Sequence, residues 1–425
     1  MTQTHLAGEA EAQAQLGAGM AALAEGRLEQ AAEALVTAES VFRRLGLGAR
    51  VAESRAALAE VQRQNGALEQ AQSSYERAIA LYKEAGLPAR EAAATLALGH
   101  VERQLGRLDK AWERYFLALK LFEKSGSVTG QASAALALGH VERQRGHLEP
   151  AAGYYARART LYTQAHDHDG EADAARGQAD MLAGRARHAE ARRAYEQALT
   201  LYRTAHDRFG EVDVLVGLGR LEIDEQRLET AADDFGAAIT LASPIEYELG
   251  TADGTLGLAE IALQRGILDQ ALLNAMKAAS EYGTLGSGLG EAESNRVIGA
   301  VQLRRGLYTQ ATMAFERAAR ALRAQRAMVP YAHALVGEAE AYRLRATPRK
   351  ADDLFAEARD VATAAEQPAV EAVAALGLGQ IARARGLNAQ AEPLLEAAAR
   401  QLEQQRRFVP AARARLELAR LALTR

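Results

Sequence analysis

The chain of 425 residues contains no cysteine. Disulfides, thiolate catalysis and cysteine-type zinc sites are therefore excluded. Aromatic residues make up only 5 %, with Trp112 the single tryptophan, and there are only eight prolines. So few prolines leave room for long helices. Basic charge is not in excess: the formal net charge is −4. A sequence-independent nucleic-acid binder carries a basic surplus, so no nucleic-acid partner is expected. No stretch approaches the ~20 apolar residues of a membrane span. The opening MTQTHLAGEAEAQ has neither the basic nor the apolar region of a secretory signal. A cytoplasmic protein with no membrane partner is expected.

What the chain does contain is alanine, within a composition 48 % hydrophobic and 25 % charged. Such a composition suits closely packed helices in an ordered protein. The alanines also recur. "LALGHVERQLGRLDKAWERY" begins at Leu96, and "LALGHVERQRGHLEPAAGYY" begins forty residues later at Leu136. Stepping by forty from Ala111 gives Ala31, Ala71, Ala111, Ala151, Ala191, Ala231, Ala271, Ala311, Ala351 and Ala391. A second alanine column lies seven residues on, from Ala38 through Ala78 and Ala118 to Ala398. Between them runs a bulky column: Leu35, Tyr75, Tyr115, Tyr155, Tyr195, Phe235, Ala275, Phe315, Phe355 and Leu395. Only Ala275 breaks it, and Met276 is expected to fill the gap.

The i, i+4, i+7 spacing makes one stripe of an α-helix, helix B. Upstream, a small column (Gly19, Ala59, Gly99, Gly139 and onward to Gly379) and an apolar column two residues later define helix A. Glycine within a helix costs up to ~1 kcal/mol relative to alanine, so its recurrence implies that something presses on the backbone there. The turn from A to B is marked by Gly26, Gly66, Gly106, Gly146, Gly266, Gly306 and Gly386, as a left-handed helix cap requires. Ala186, Gln226 and Ala346 depart from this, and strained or differently shaped turns are expected there. Pro150 and Pro348 fall at the start of helix B, Pro330 and Pro410 ahead of helix A, and Pro88, Pro244 and Pro368 in inter-repeat loops. Pro393 lies deeper and is expected to delay or kink the last helix B.

These paired helices, with a small residue in A, a glycine turn and alanine–aromatic–alanine in B, resemble tetratricopeptide repeats. The usual period of that family is 34 residues. The extra six here are expected to lengthen helix B and the loop after it. The family's helix-A tryptophan and closing proline are missing. The longer period is similar to a branch seen in signalling scaffolds and bacterial transcriptional regulators. One repeat cannot bury its own apolar face, and stacking makes the core continuous. The expected fold is all-α: a right-handed α-α superhelical solenoid over residues 1–425. Its ten helix-turn-helix repeats span about 8–47, 48–87, 88–127, 128–167, 168–207, 208–247, 248–287, 288–327, 328–367 and 368–407. Residues 408–425 form a capping helix, with Leu416, Leu418 and Leu421 covering the last repeat and Arg413, Arg415 and Arg420 facing water.

The resemblance implies that A helices line a concave groove and that variable inward positions bind partners. One inward column contains Met20, Glu60, His100, His140, Asp180, Arg220, Glu260 and Glu340; another contains Leu23, Arg63, Arg103, Arg143, Ile223, Leu263, Leu303, Arg343 and Arg383. Arg63, Arg103 and Arg143 form a ladder beside His100 and His140, with Gln104 and Gln144 adjacent. Forked guanidinium donors suit carboxylates and phosphates, so an acidic peptide or protein segment is one reading. The other is a solvated face, neutralised by Glu60 and by Glu102 or Glu142. Ile223, Leu256, Leu263 and Leu303 form a secondary apolar stripe, read as a helix-binding groove or, preferentially, as packing. Leu16, Met20 and Leu23 are placed at the groove mouth, where self-association is open. The lysine–asparagine clamp by which some family members hold a C-terminal carboxylate is not carried over, since Leu96, Leu136, His100 and His140 occupy the inward positions.

No catalytic constellation, cofactor site or metal site is expected. The ligands His100 and His140 stand one repeat apart with no obvious companions, and zinc needs three or four converging ligands. HDHDGEAD, from His166, keeps its pattern in HDRFGEVD, from His206, which points to helix-start chemistry. GSGLGE, from Gly286, follows a helix and not a strand. The function expected is a non-enzymatic protein-interaction scaffold. The alternative is a ligand- or peptide-responsive regulatory sensor acting with a separate effector.

Overall fold

The computed structural model describes residues 3–185, 187–365, 367–405 and 407–423. They form helices joined by short turns, with no strand among the described residues. The chain divides into two compact units, Met1–Gly210 and Glu211–Arg425. The first holds α1 (Gln3–Ala24), α2 (Leu28–Arg44), α3 (Gly48–Gln64), α4 (Leu68–Glu84) and α5 (Pro88–Gln104). It continues through α6 (Leu108–Ser125), α7 (Val128–Gln144), α8 (Leu148–Ala165), α9 (His168–Gly184) and α10 (His188–Ala205). The boundary falls in the first turn of α11 (Arg208–Asp224). The second unit contains α12 (Leu228–Ala242), a 3-10 turn (Ser243–Ile245), α13 (Glu248–Arg265), α14 (Leu268–Thr284) and α15 (Gly288–Arg304). After these come α16 (Tyr308–Ala324), α17 (Met328–Leu344), α18 (Pro348–Ala364), α19 (Pro368–Ala384), α20 (Asn388–Gln404) and α21 (Phe408–Ala422). Odd-numbered helices are the A helices of the sequence pattern, even-numbered ones the B helices.

A and B prove nearly equal in length: α3 and α4 have 17 residues each, and α7 and α8 have 17 and 18. The added length is therefore not concentrated in helix B; the links are turns of two or three residues, apart from the α12–α13 link, which includes the 3-10 turn Ser243–Ile245. In the turn after α3, Gly66 N–H donates to Arg63 O at 3.1 Å and Ala67 N–H to Gln62 O at 2.8 Å, closing the helix C-terminus. The middle residue is left-handed at both kinds of turn, as at Gly66 (φ 76°) and Gly86 (φ 67°). The B-to-A glycine column (Gly46, Gly86, Gly126, Gly286) is absent from the sequence reading. Gln226 (φ 62°) and Ala346 (φ 58°) adopt the same left-handed turn, so these turns are strained but not differently shaped. Ala186 lies outside the described residues. Pro88 and Pro368 open α5 and α19 instead of lying in loops, Pro330 and Pro410 sit inside the first turns of α17 and α21, and Pro244 lies in the 3-10 turn. Pro393 is accommodated within α20.

The core explains the small column. A Cβ on Gly139 would come within 2.8 Å of the Tyr155 ring, and one on Gly177 of the next A helix within 2.5 Å of it. The same holds for Phe235, gripped between Gly219 (2.8 Å) and Gly257 (2.4 Å). Each ring is thus clamped between two A helices, which is what the helical glycines permit. Met276 does not fill the gap at Ala275: it is 57 % exposed, while Ala275 packs with Leu256, Tyr282 and Val297. Exposed ion pairs staple neighbouring repeats, including Arg185–Glu149 (2.8 Å), Arg265–Glu229 (2.9 Å) and Arg145–Asp109.

At the C-terminal end, Leu421 is buried and Leu418 partly so, but Leu416 is 52 % exposed and does not cover the last repeat. Arg415 pairs with Glu403 at 2.8 Å and Arg420 with Glu417 at 3.0 Å. Leu16 is buried with Leu35 and Phe42 and Leu23 is partly buried, so of the three residues placed at the groove mouth Met20 is the exposed one. Among the described residues no helix is long and apolar enough to cross a membrane.

Candidate functional site

Within each unit B helices pack against the A helices on either side, as α4 with α3 and α5 or α14 with α13 and α15, and consecutive A helices also touch one another, as α3 with α5, α5 with α7 and α13 with α15. The A helices therefore lie on the tighter, inner side of each unit, and their free positions form its inward face.

In the first unit that face is tied to the buried tyrosines. Tyr75 O–H donates to Glu60 at 2.9 Å, and Tyr195 O–H to Asp180 at 2.6 Å. Between them, the Tyr115 hydroxyl lies 2.8 Å from His100 Nδ1, and the Tyr155 hydroxyl 3.0 Å from His140 Nδ1. A buried tyrosine hydroxyl requires a partner, and the A helix supplies it. The sequence signal was available. Tyrosine fills the bulky column only in the four repeats whose A helix offers Glu60, His100, His140 or Asp180. Burial, with Arg103 and Arg63 nearby, pushes the His100 pKa down to about 4. Burial, with Arg143 and Arg176 nearby, pushes that of His140 down to about 3. Both imidazoles are neutral at pH 7, bound to phenols and unavailable as charged anchors. Burial raises the Tyr115 phenol to about 12.

The arginine ladder divides. Arg63 closes on Glu60 through Nε at 2.9 Å and Nη2 at 2.5 Å, and Gln64 donates to the same carboxylate at 3.0 Å. Arg103 and Arg143 form no ion pair among the described residues. They lie beside the Tyr115 and Tyr155 hydroxyls, whose ionisation they favour. Arg143, Gln104 and Gln144 are exposed and Arg103 half-buried. Glu102 and Glu142, the neutralising candidates, face elsewhere. Glu102 accepts from Arg107 at 3.3 Å, and Glu142 lies 2.7 Å from His147 Nδ1 and 3.7 Å from Arg145.

The second unit is self-paired. Arg220 meets Asp253 at 2.6 Å. Arg296 bridges Glu260 (2.5 Å) and Glu293 (2.6 Å). Arg343 meets Glu340 at 2.6 Å, and Arg383 reaches Glu417 at 2.5 Å. Tyr247 and Tyr282 donate to Asp213 and Asp253, each at 2.9 Å. This acidic register (Asp173, Asp213, Asp253, Glu293) was missed in the sequence, although its forty-residue spacing is plain. Ile223 and Leu256 are buried, and Leu263 and Leu303 are partly buried against the core. Ile223 and Leu256 are thus spent on packing, while Leu263 and Leu303 keep part of their surface exposed.

The HDHDG motif resolves into helix starts. His166 (φ 57°) and His206 (φ 60°) are the left-handed turn residues. Asp167 accepts from Gly170 N–H at 2.9 Å and Asp207 from Gly210 N–H at 3.1 Å. Among the described residues no group of three or more His, Asp or Glu side chains converges as metal ligands would.

A family model described as SNAP, soluble NSF attachment protein, matches residues 2–117. No curated protein sequence matches the chain. Among solved structures, a Rap protein complexed with competence and sporulation factor is similar with TM-score 0.53 and 14 % identity, over 79 % of this chain and 100 % of that one. A signal transduction ATPase with numerous domains and a tetratricopeptide repeat sensor, from Pyrococcus horikoshii, is similar with TM-score 0.51 and 15 % identity. That match covers 81 % of this chain but 55 % of the ATPase, so this chain spans about half its length. BtubC from P. vanneervenii gives TM-score 0.47 and 21 % identity over 52 % of this chain and 92 % of that one. The fold is of the tetratricopeptide-repeat type. Its all-α helix pairs, glycine-clamped rings and inner A helices are the features that the forty-residue columns encode.

Proposed function

We propose that the protein is a non-enzymatic interaction scaffold and that the inward face of its first unit holds an acidic segment of a partner protein. The observation that carries this reading is the pair Arg103 and Arg143. They lie one repeat apart in identical GHVERQ surroundings, without carboxylate partners among the described residues. Gln104 and Gln144 add exposed amides beside them. Two guanidiniums one A-helix spacing apart, ~8–10 Å, suit two acidic side chains of one extended peptide. Arg63 plays a smaller part because Glu60 already occupies it, and His100 and His140 hold the tyrosines that set the rungs.

The test is fluorescence anisotropy with a labelled oligoglutamate peptide. Arg103→Ala with Arg143→Ala should weaken binding by about tenfold per arginine lost, since a hydrogen bond to a charged group is worth about 1.5–3 kcal/mol. Equal affinity for wild type and double variant would reject the site. The second reading, a sensor working with a separate effector, draws on the similar Rap protein, whose structure holds competence and sporulation factor, and on the tetratricopeptide repeat sensor of the similar ATPase. A melting-temperature rise of several degrees with one small metabolite, and none with acidic peptide, would favour it. The division into ten forty-residue repeats closed by residues 408–425 belongs to the same proposal. Deleting residues 328–367 as a block should leave a cooperatively folding chain.

A further inference from the structure

The junction between the first two repeats departs from the framework in a way that the groove reading does not use. Where Arg55 stands in α3, the later A helices up to α19 carry Thr95, Ala135, Ala175, Leu215, Thr255, Asn295, Leu335 and Ala375. Where Glu39 stands in α2, no other B helix carries an acid. The two meet in the interior: Glu39 is 5 % exposed, and Arg55 Nε donates to it at 3.1 Å. Arg43 reaches the same carboxylate from the end of α2. A buried ion pair is costly to assemble and adds little stability over apolar packing, so its presence at one junction needs another reason.

Beside it lies a cavity of about 480 Å³, open on one side and lined by Arg43, Gly46, Gly48, Val51, Arg55, Arg77, Ala80 and Leu81. That volume falls in the range of small-molecule sites, ~300–1,000 Å³. Its charge is unbalanced. Three guanidiniums face it, and among the described residues Glu39 is the one carboxylate paired with them and Arg77 forms no ion pair. The acid found at the register of Val51 in six of the eleven A helices (Glu11, Glu91, Glu171, Glu211, Glu291, Glu371) is replaced here by valine. At the α8–α9 junction that acid, Glu171, lies 3.6 Å from Arg159, so the replacement removes a negative charge and adds an apolar wall.

We propose that this cavity binds a small amphipathic anion, its carboxylate held by Arg43, Arg55 and Arg77 and its apolar chain laid against Val51, Ala80 and Leu81. Glu39 keeps Arg55 fixed while the other guanidiniums supply the excess charge. Isothermal titration calorimetry with decanoate tests it, with 1-decanol and inorganic phosphate as the chain-only and head-only probes. Decanoate should bind saturably at one site, and both comparators should bind about tenfold or more weakly. Ala80→Trp, which fills the cavity from an exposed position, and Arg77→Glu should each weaken decanoate by about tenfold while leaving the melting temperature unchanged. Three results would overturn the proposal: no decanoate binding, equal binding of 1-decanol or phosphate, or undiminished affinity in both variants. The peptide test above does not involve these residues, so the two can fail separately.

Discussion

The two units share one framework and spend their inward faces differently. In the second, Arg220, Arg296, Arg343 and Arg383 each meet an acid, and the residues in the register of Arg103 that are apolar (Ile223, Leu263, Leu303) pack into the core. In the first, two arginines in near-identical rungs are left to meet something else. The turns differ as well. Among the described residues the first unit has seven glycines and two histidines at left-handed positions, and the second has four glycines and four other residues. One packing scheme can therefore host an inward face whose arginines meet acids and one in which two arginines have no carboxylate partner among the described residues. The difference lies in positions the framework does not constrain.

The largest expected break in this contrast is Ile223→Ala. Ile223 is 8 % exposed, and its truncation should cost about 3 kcal/mol by urea denaturation, as for a core aliphatic. A loss below ~0.5 kcal/mol, the surface range, would reopen the stripe as a binding face. Next comes the arginine comparison. Arg296→Ala strands Glu260 and Glu293 and should cost about 2 kcal/mol, discounted from the fully buried case because the side chain is a quarter exposed. Arg143→Ala should stay within ~0.5 kcal/mol, and an equal cost at both positions would erase the distinction between the units. Ala346→Gly should then raise stability by about 1 kcal/mol, by relieving a left-handed alanine. The same substitution principle run backwards, Gly306→Ala, should lower it by a similar amount.

The smallest effect is on pH dependence, and the buried histidines and Glu338 should act with opposite sign. His100 and His140 are depressed to about 4 and about 3, so below their ordinary value of about 6.5 the unfolded chain binds protons that the folded one refuses. Their contribution is complete above that value and is lost as pH falls. Glu338 is raised to about 7 by burial and then by Glu316, so the folded chain retains a proton that the unfolded chain has released. Its contribution is present below the ordinary carboxylate range and is lost as pH rises through neutrality. Melting curves of His140→Gln and Glu338→Gln across this range should flatten the acid arm and the neutral arm respectively. A variant whose profile matches wild type would remove that residue from the account.

Much of the fold was legible because the repeat places the same packing demand on the sequence many times. Ala111 and its counterparts, the rings beside Gly139 and Gly177, and the glycine turns are all set by close approach. What was not legible was partner choice among polar residues. His100 and Arg103 stand three positions apart in one motif. Whether each turns to a phenol, a carboxylate or water depends on side chains fifteen residues away in the neighbouring helix. Glu60 was read with Glu102 and Glu142 as a neutraliser of the ladder; it pairs with the first rung, while the other two turn to Arg107 and His147. The paired Tyr–His columns show that such partners can be found by comparing columns with one another instead of reading each alone.

The near-equal helices and short turns, in a constant forty-residue period, set the quantum in which this protein can change length. An insertion or deletion of about twenty residues would keep the rhythm of helix and turn, yet it would place every later A face where a B face belongs. The rings would then meet no glycine, and the inner and outer sides would be exchanged. Only edits in steps of forty preserve both rhythm and identity. Gene duplication and loss are thereby confined to whole pairs, and each added pair arrives with a blank inward face that selection is free to write upon.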